Sequence, residues 1–285
     1  MGLSLAKGSL IGLGGAGALG TSGYLAFRAQ QPKDVKSKLI WDGLSVADSK
    51  SLGVYKAIYL ANSDKDGFSS FVSASDKEEA APLLKTKCDD LLGVSASSDK
   101  YAQSLEEAKK WCLVPKKTTI EISLLVDGME LSSADEDYKN TFALSRSSQD
   151  FINAIKKGSD GLTTSSDVNT GFSKVKEWCA EVIKKSAFDK DAQNAKLWCV
   201  KPDSKLGDFM DKQGFKPVES TGWDSHFTSL SSDNTLTSDM SSVSGTDGNG
   251  NKLKSWCEGK NLVNVQIHTL LTDLEKIKSR CFVRK

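Results

Sequence analysis

Apolar positions along this chain recur at helical intervals. Ala81, Leu84, Cys88 and Leu91 step by three, four and three residues, and Phe172, Val175, Cys179 and Val182 repeat that rhythm. A second kind of stripe steps by four, three and four: Tyr101, Leu105, Ala108 and Cys112, then Phe188, Ala192, Ala195 and Cys199. Such spacing places each set on one face of an α-helix. Near the C-terminus the stripe lengthens to Val263, Ile267, Leu270, Leu274, Ile277 and Cys281, a heptad-like seam expected to be the most continuous buried stripe of the chain. Upstream come aromatic pairs four residues apart, Tyr55 with Tyr59, Tyr138 with Phe142 and Trp223 with Phe227, each on one helical face. Thr118–Val126 fits either a strand or a helix, and Thr118-x-x-Glu121 has the form of a capping box, which favours the helix.

The stripes are punctuated by six boxes that end in Cys88, Cys112, Cys179, Cys199, Cys257 and Cys281, and no cysteine lies outside a box. Their shared form is an apolar residue, Lys, any residue, a bulky or basic residue, then Cys, as in Val175-Lys176-Glu177-Trp178-Cys179. They fall into three pairs. The second box of two pairs continues as Trp-Cys-x-x-Pro, with Pro115 and Pro202 stopping the helix. Three related helical units follow, over 45–115, 116–202 and 203–285. The third departs from the others: Glu258-Gly259 ends its first helix early, and residues 228–251 read as a long loop rich in Ser, Asp and Gly.

The N-terminus has a different character. Residues 8–27 carry no charge, and as a helix they would span about 30 Å, the thickness of a bilayer core. Gly8, Gly12, Ala16 and Gly20 form a small-residue stripe of the kind that lets membrane helices approach closely, and Phe27 ends the stretch before Arg28. Residues 1–28 are therefore expected to be a membrane anchor or uncleaved signal, with the lipid bilayer as partner. A cleaved signal peptide is the alternative, since Ala16-Gly17-Ala18 fits a cleavage site. Residues 29–44 read as a polar stalk with one apolar island, Leu39-Ile40-Trp41. The fold class expected is mainly α, an N-terminal transmembrane helix followed by a three-unit helical repeat ectodomain.

Charge narrows the partners. The 285 residues hold 38 basic and 37 acidic side chains, interspersed, for a net charge of +1. No general attraction to nucleic acid follows from that balance.

Three readings of the cysteines stand. An even number at repeated spacing behind an export-like N-terminus points to disulfides, within units: Cys88 with Cys112, Cys179 with Cys199, Cys257 with Cys281. Each bond would close a short loop and add about 3 kcal/mol in the chain-entropy model. A simple helical hairpin opposes it, because Cys88 lies close to a turn at Gly93 while Cys112 lies a full helix beyond. Small apolar side chains in a reduced core are the second reading. Zinc is the third and weakest, since structural sites favour ligands two to four residues apart.

Candidate chemistry is sparse. Gly12-x-Gly14-x-x-Gly17 followed by Asp42 matches a dinucleotide fingerprint, but no buried strand precedes it and no βα units follow. Asp224, Ser225 and His226 are the residue types of a catalytic triad, yet neighbours on one turn cannot converge on a substrate. Asn62-x-Asp64-x-Asp66-Gly67 begins like a calcium loop, but Ser73 stands where the bidentate Glu belongs. Asp247-Gly248-Asn249-Gly250-Asn251 reads as turn chemistry. No catalytic residue, cofactor or metal is expected.

The Gly-rich N-terminal stretch, the repeated Trp-Cys boxes and the Trp-Cys-x-x-Pro sequences together resemble the large paralogous families of membrane-anchored proteins in haemotropic mycoplasmas. Lys87 and Arg280 stand in place of Trp before two of the cysteines, so not every box matches. The resemblance implies a surface-facing protein with a host-interaction or antigenic role, possible host surface proteins as partners, and no catalytic residues. A cytoplasm-facing scaffold is the alternative: Arg28, Lys33, Lys36 and Lys38 follow the uncharged stretch, and basic residues favour the cytoplasmic side.

Overall fold

The computed structural model describes residues 31–48, 51–156, 158, 161–219, 221–241, 243, 248–262, 264–270 and 273–285. Among them the protein is mainly helical, and one arrangement of elements is used three times. The first unit holds α1 (Val35–Trp41), α2 (Gly53–Asn62), α3 (Phe68–Phe71), α4 (Lys77–Leu92) and α5 (Tyr101–Trp111). The second holds α6 (Ile120–Val126), α7 (Asp135–Ser145), α8 (Gln149–Ile155), α9 (Val168–Val182) and α10 (Ala192–Trp198). The third holds α11 (Leu206–Lys212), β1 (Phe215–Pro217), α12 (Trp223–Ser229), α13 (Leu236–Asp239), α14 (Asn249–Glu258), a 3-10 turn (Ile267–Leu270), α15 (Leu274–Cys281) and β2 (Phe282–Arg284).

Backbone pairing fixes the frame of each unit. Isolated antiparallel bridges join Asp34 to Ser95, Thr119 to Ser186 and Lys205 to Gln266, one residue before each short entry helix. Next to each bridge the first amide of that helix donates to a carbonyl beyond the first-box helix: Val35 to Val94, Ile120 to Lys185 and Leu206 to Val265. A second pairing follows each entry helix, Val46 with Leu113, Leu131 with Val200, and in the third unit the β1–β2 ladder that ends at Pro217 opposite Phe282. The chain therefore enters, is clamped at two points, and carries the remaining helices between the clamps.

Local chemistry sets the helix starts. Asp34 accepts the amide of Ser37 while the Ser37 hydroxyl receives the amide of Asp34, a reciprocal cap on α1. That backbone bond, reinforced by the Ser37 side chain, holds the Asp34 carboxyl below its usual range. Asp76 and Asp167 cap α4 and α9 through the next amides in line. The aromatic helices are anchored at the second clamp. The Tyr55 hydroxyl donates to the carbonyl of Ala47 at 2.8 Å, and that of Tyr138 to Ser132 at 2.7 Å. Burial, aided by the charges of Asp89 and Asp48, pushes the Tyr55 phenol up to about 12.

Each unit has its own apolar cluster. The first gathers Val35, Leu39, Tyr55, Ile58, Phe68, Leu84 and Trp111. Ile120, Tyr138, Phe142, Phe151, Val175 and Trp198 form the second, and Leu206, Met210, Trp223, Leu253, Ile267 and Ile277 the third. Helices approach closely where the sequence offers glycine. A Cβ on Gly171 of α9 would lie 2.2 Å from the Phe142 ring on α7, and one on Gly250 of α14 would lie 2.1 Å from the Asp224 carboxylate.

Several expectations need correction. The stretch expected as a stalk contains α1, whose Val35 and Leu39 are fully buried in the first core, while Ile40 and Trp41 stay exposed. The cap of α6 is Thr119, not Thr118: its hydroxyl accepts from Ile122. The loop expected over 228–251 is interrupted by α13, held by buried Leu236 and Met240, and it ends at Gly248, whose φ of +83° turns the chain into α14. The C-terminal seam is not one helix. It divides into the 3-10 turn and α15, although Ile267, Leu270, Leu274, Ile277 and Cys281 are all buried; Val263 lies outside the described residues. Phe188 leaves its predicted stripe altogether and is 92% exposed, because α10 begins only at Ala192. The expected anchor, with Gly8, Gly12, Ala16, Gly20 and Phe27, lies outside the described residues. Among those described, no helix is long and apolar enough to cross a membrane.

Candidate functional site

Oxidised cysteines occupy the centre of every unit. Cys88 bonds Cys112, Cys179 bonds Cys199 and Cys257 bonds Cys281, with Cα–Cα distances of 5.5, 5.5 and 5.6 Å. All six are buried and bonded in pairs, and it is the bonding that leaves neither the thiols of a reduced core nor the thiolates zinc would need. The hairpin objection dissolves in the frame described above. Residues after Cys88 do not double back at Gly93; they run out to pair with Val35, and α5 returns from there to bring Cys112 beside Cys88. The second cysteine of each pair also holds the second clamp. Its carbonyl accepts an amide from the entry segment, Ala47 to Cys112, Ser132 to Cys199 and Val218 to Cys281, at 2.8, 2.9 and 3.1 Å.

The residue before that second cysteine distinguishes the units. Trp111 packs edge-on against Phe68 at 5.2 Å and stacks on Phe71 at 6.2 Å. Trp198 meets Phe151 edge-on at 5.0 Å and Trp178 at 5.3 Å. In the third unit the position is Arg280, fully buried, and where a short helix supplies Phe68, Phe71 or Phe151 elsewhere, α13 supplies Asp239 and the turn before it Asp233. Nε of Arg280 donates to Asp233 Oδ2 at 2.7 Å, Nη1 to Asp239 Oδ2 at 2.8 Å and Nη2 to Thr235 Oγ1 at 2.8 Å. The Trp256 ring lies 5.2 Å from its Cζ, and Lys276 Nζ reaches Asp239 at 2.6 Å. Hydrogen bonds from Lys276 and then Arg280 hold the Asp239 carboxyl below its usual range. For Asp233, burial is the largest single effect and opposes ionisation. The bonds from Arg280 and Thr235 together outweigh it, and that carboxyl too is lowered. Sequence reasoning noted Arg280 only as a departure from Trp. A compensating signal was present in part, since Asp239 closes the third unit's short helix where Phe71 closes that of the first.

Two joints link the units. Between the first and second, Ala57 of α2 packs with Ile122 and Leu125 of α6, flanked by Leu60, Ala61 and Val126, and Lys77 pairs with Glu121. Between the second and third, Ala143 of α7 enters the third core, and Asn140 Oδ1 accepts both the amide of His268 at 3.0 Å and its Nδ1–H at 2.9 Å. Burial, with the charge of Lys139 second, holds the His268 imidazole below its usual range. Asn140 Nδ2 and Thr141 Oγ1 are buried with no hydrogen-bond partner among the described residues.

The other sequence candidates take structural places. His226 Nε2–H donates to the Arg280 carbonyl at 3.0 Å, while the Ser225 hydroxyl turns back to Gly222. Asp224 lies against Gly250, so the three form no triad. Asn62 bonds the Ile58 carbonyl and receives Lys65, which makes the Asn62–Gly67 run a helix exit with Gly67 at φ +84°. Asp42 ends α1 and pairs with Lys38 at 2.6 Å. Among the described residues no cluster of three His, Cys, Asp or Glu could hold a metal ion. A depression of about 430 Å³ lies where the second and third units meet, between Leu144, Trp198, Val200 and Phe209, with Lys196 and Lys212 at its edge. Thr141, Ser145, Lys201 and Asp203 also line it, and Asp203 pairs with Lys212. Set beside known proteins, the chain matches no family model, no curated protein and no solved structure.

Proposed function

We propose that this is a membrane-anchored helical repeat protein displayed on the outer side of the cell membrane, where it acts by binding, in a host-interaction or antigenic role, and not by catalysis. The observation that carries this reading is the disulfide buried in each of the three cores. Disulfides form and persist in oxidising surroundings, and reduced cytosols keep such thiols free. The uncharged stretch 8–27 supplies the tether, and the resemblance to the surface families of haemotropic mycoplasmas points the same way. Protease added to intact cells should degrade the protein, and a membrane-impermeant thiol reagent should label it only after reduction. Free thiols in protease-protected protein would overturn the proposal.

A second reading, a cytoplasm-facing scaffold, draws on Arg28, Lys33, Lys36 and Lys38 after the uncharged stretch. The same experiment separates the two.

A further inference from the structure

Each unit of the array offers an entry helix on one side and an aromatic helix on the other; at the first joint the entry helix α6 meets the aromatic helix α2, and at the second the aromatic helix α7 meets the 3-10 turn of the third unit. The clamps align the entry helices residue by residue, since Asp34, Thr119 and Lys205 occupy one position. Leu125 and Val126 of α6, which pack against α2, therefore correspond to Ile40 and Trp41 of α1. Leu125 is 2% exposed, whereas Ile40 and Trp41 are 53% and 64% exposed. The first unit thus presents the apolar side of a joint with no described residue covering it.

The far end of the array differs. The anchors Tyr55, Tyr138 and Trp223 align the aromatic helices, so the joint-forming Ala57, Leu60 and Ala61 of α2 correspond to Ser225, Thr228 and Ser229 of α12. All three are exposed, and their hydroxyls turn back to carbonyls of Gly222, Asp224 and His226 in the same helical segment. A polar outer face is what a terminal repeat needs for solubility. It also removes the apolar complement that a second copy would have to offer to Ile40 and Trp41 in head-to-tail stacking.

Chain length selects another occupant. Only residues 28–33 separate the uncharged stretch 8–27 from the cap of α1 at Asp34. Six residues reach at most about 20 Å fully extended. If the stretch spans a bilayer, α1 lies at its surface. An exposed Trp suits the headgroup level, where its amphipathic ring meets both water and hydrocarbon, and the neighbouring Lys36 and Lys38 are paired with Asp48 and Asp42, so the segment brings little free charge to that level. We infer that Ile40 and Trp41 rest in the headgroup region of the bilayer and fix the orientation of the array on the membrane. This inference rests on the anchor reading proposed above.

The test uses the full chain in vesicles of phosphatidylcholine and phosphatidylglycerol with a brominated phosphatidylcholine quencher. Flotation after an alkaline wash reports whether the chain is integrated. Lipid-dependent quenching of tryptophan fluorescence reports depth. The expected result is a chain that floats and is quenched, with the quenching lost in Trp41→Phe and kept in Trp178→Phe. Near-ultraviolet circular dichroism checks that both variants retain the fold. A chain that floats but is quenched equally with and without Trp41 overturns the docking and leaves the anchor standing. A chain that fails to float overturns both.

Discussion

Arg280 donates to Asp239 at 2.8 Å from a side chain with no solvent exposure, at the position where Trp111 and Trp198 fill the other two cores. A buried cation tolerates that place only while its acids remain, and the two kinds of partner are not equally sheltered. Asp233 and Asp239 keep about a quarter of their side chains in water. Replacing both with Asn should strand the guanidinium and destabilise the third unit by about 3–5 kcal/mol. Arg280→Met leaves carboxylates that can still reach solvent and should cost distinctly less. Urea titrations of the two variants check the order, and a larger loss for Arg280→Met would refute the assignment.

Acid should act on the same cluster. Both carboxyls are lowered in the folded protein, so their contribution is present above the unfolded carboxylate value of about 3.9 and is lost as pH falls through the folded values. The carboxylates' contribution to the third unit should be level from neutral pH to about 4 and fall below it, beneath a separate loss that begins near about 6.5, where the lowered His268 imidazole favours protonation of the unfolded chain. The Asp233→Asn, Asp239→Asn double variant should show a shallower acid decline. A decline of unchanged slope in that variant would place the acid-sensitive groups elsewhere.

Disulfide mapping by mass spectrometry should return Cys88–Cys112, Cys179–Cys199 and Cys257–Cys281. Removing any one pair as a Cys→Ala double substitution should cost about 3 kcal/mol, because the loops they close are of similar length. A bond between units in the native protein would contradict the fold.

Gly171→Ala sets two effects against each other. Alanine favours an exposed helix interior by about 1 kcal/mol, but the added methyl would sit inside the Phe142 ring. Overpacking of this kind costs about 1–3 kcal/mol, so the variant should melt lower than wild type. The contrasting change, Ala180→Gly on the exposed side of the same helix, should cost only the propensity term. A melting temperature unchanged or raised by Gly171→Ala would show that α7 and α9 do not approach this closely.

Leu274, 2% exposed, begins α15, and Leu274→Ala should cost about 2–5 kcal/mol. Glu275→Ala beside it removes only a surface pair with Lys278 and should cost under about 1 kcal/mol. Equal losses would refute the register of α15.

The pattern of apolar positions carried the helices because it depends on short-range periodicity, and the even number and repeated spacing of the cysteines carried the disulfide pairing. Ala81, Leu84 and Cys88 are buried, as are Val175, Cys179 and Val182, while Leu91 and Phe172 at the ends of those stripes are partly so. Features decided by distant pairing were not readable in this way. Leu39 looked like an island in a stalk because its partners come from the far end of the first unit. Phe188 kept a helical spacing that its backbone does not follow, since Ala187 donates to Thr118 and holds that stretch as a loop. The seam through Ile267 and Leu274 kept its burial but lost its continuity. Periodicity reports which side a residue faces, not whether the intervening backbone stays helical.

Every covalent bridge lies within a unit, and both joints between units are non-covalent. Under a pulling force on the chain, the tension path therefore runs through each sulfur–sulfur bond and bypasses residues 89–111, 180–198 and 258–280. Those segments cannot lengthen until the bonds are reduced. The chain can yield at the Ala57–Leu125 and Asn140–His268 contacts, or open a unit outside its bridged loop, and in each case its extended length is capped chemically. A reducing environment would release that slack and let the same chain extend much further under the same force.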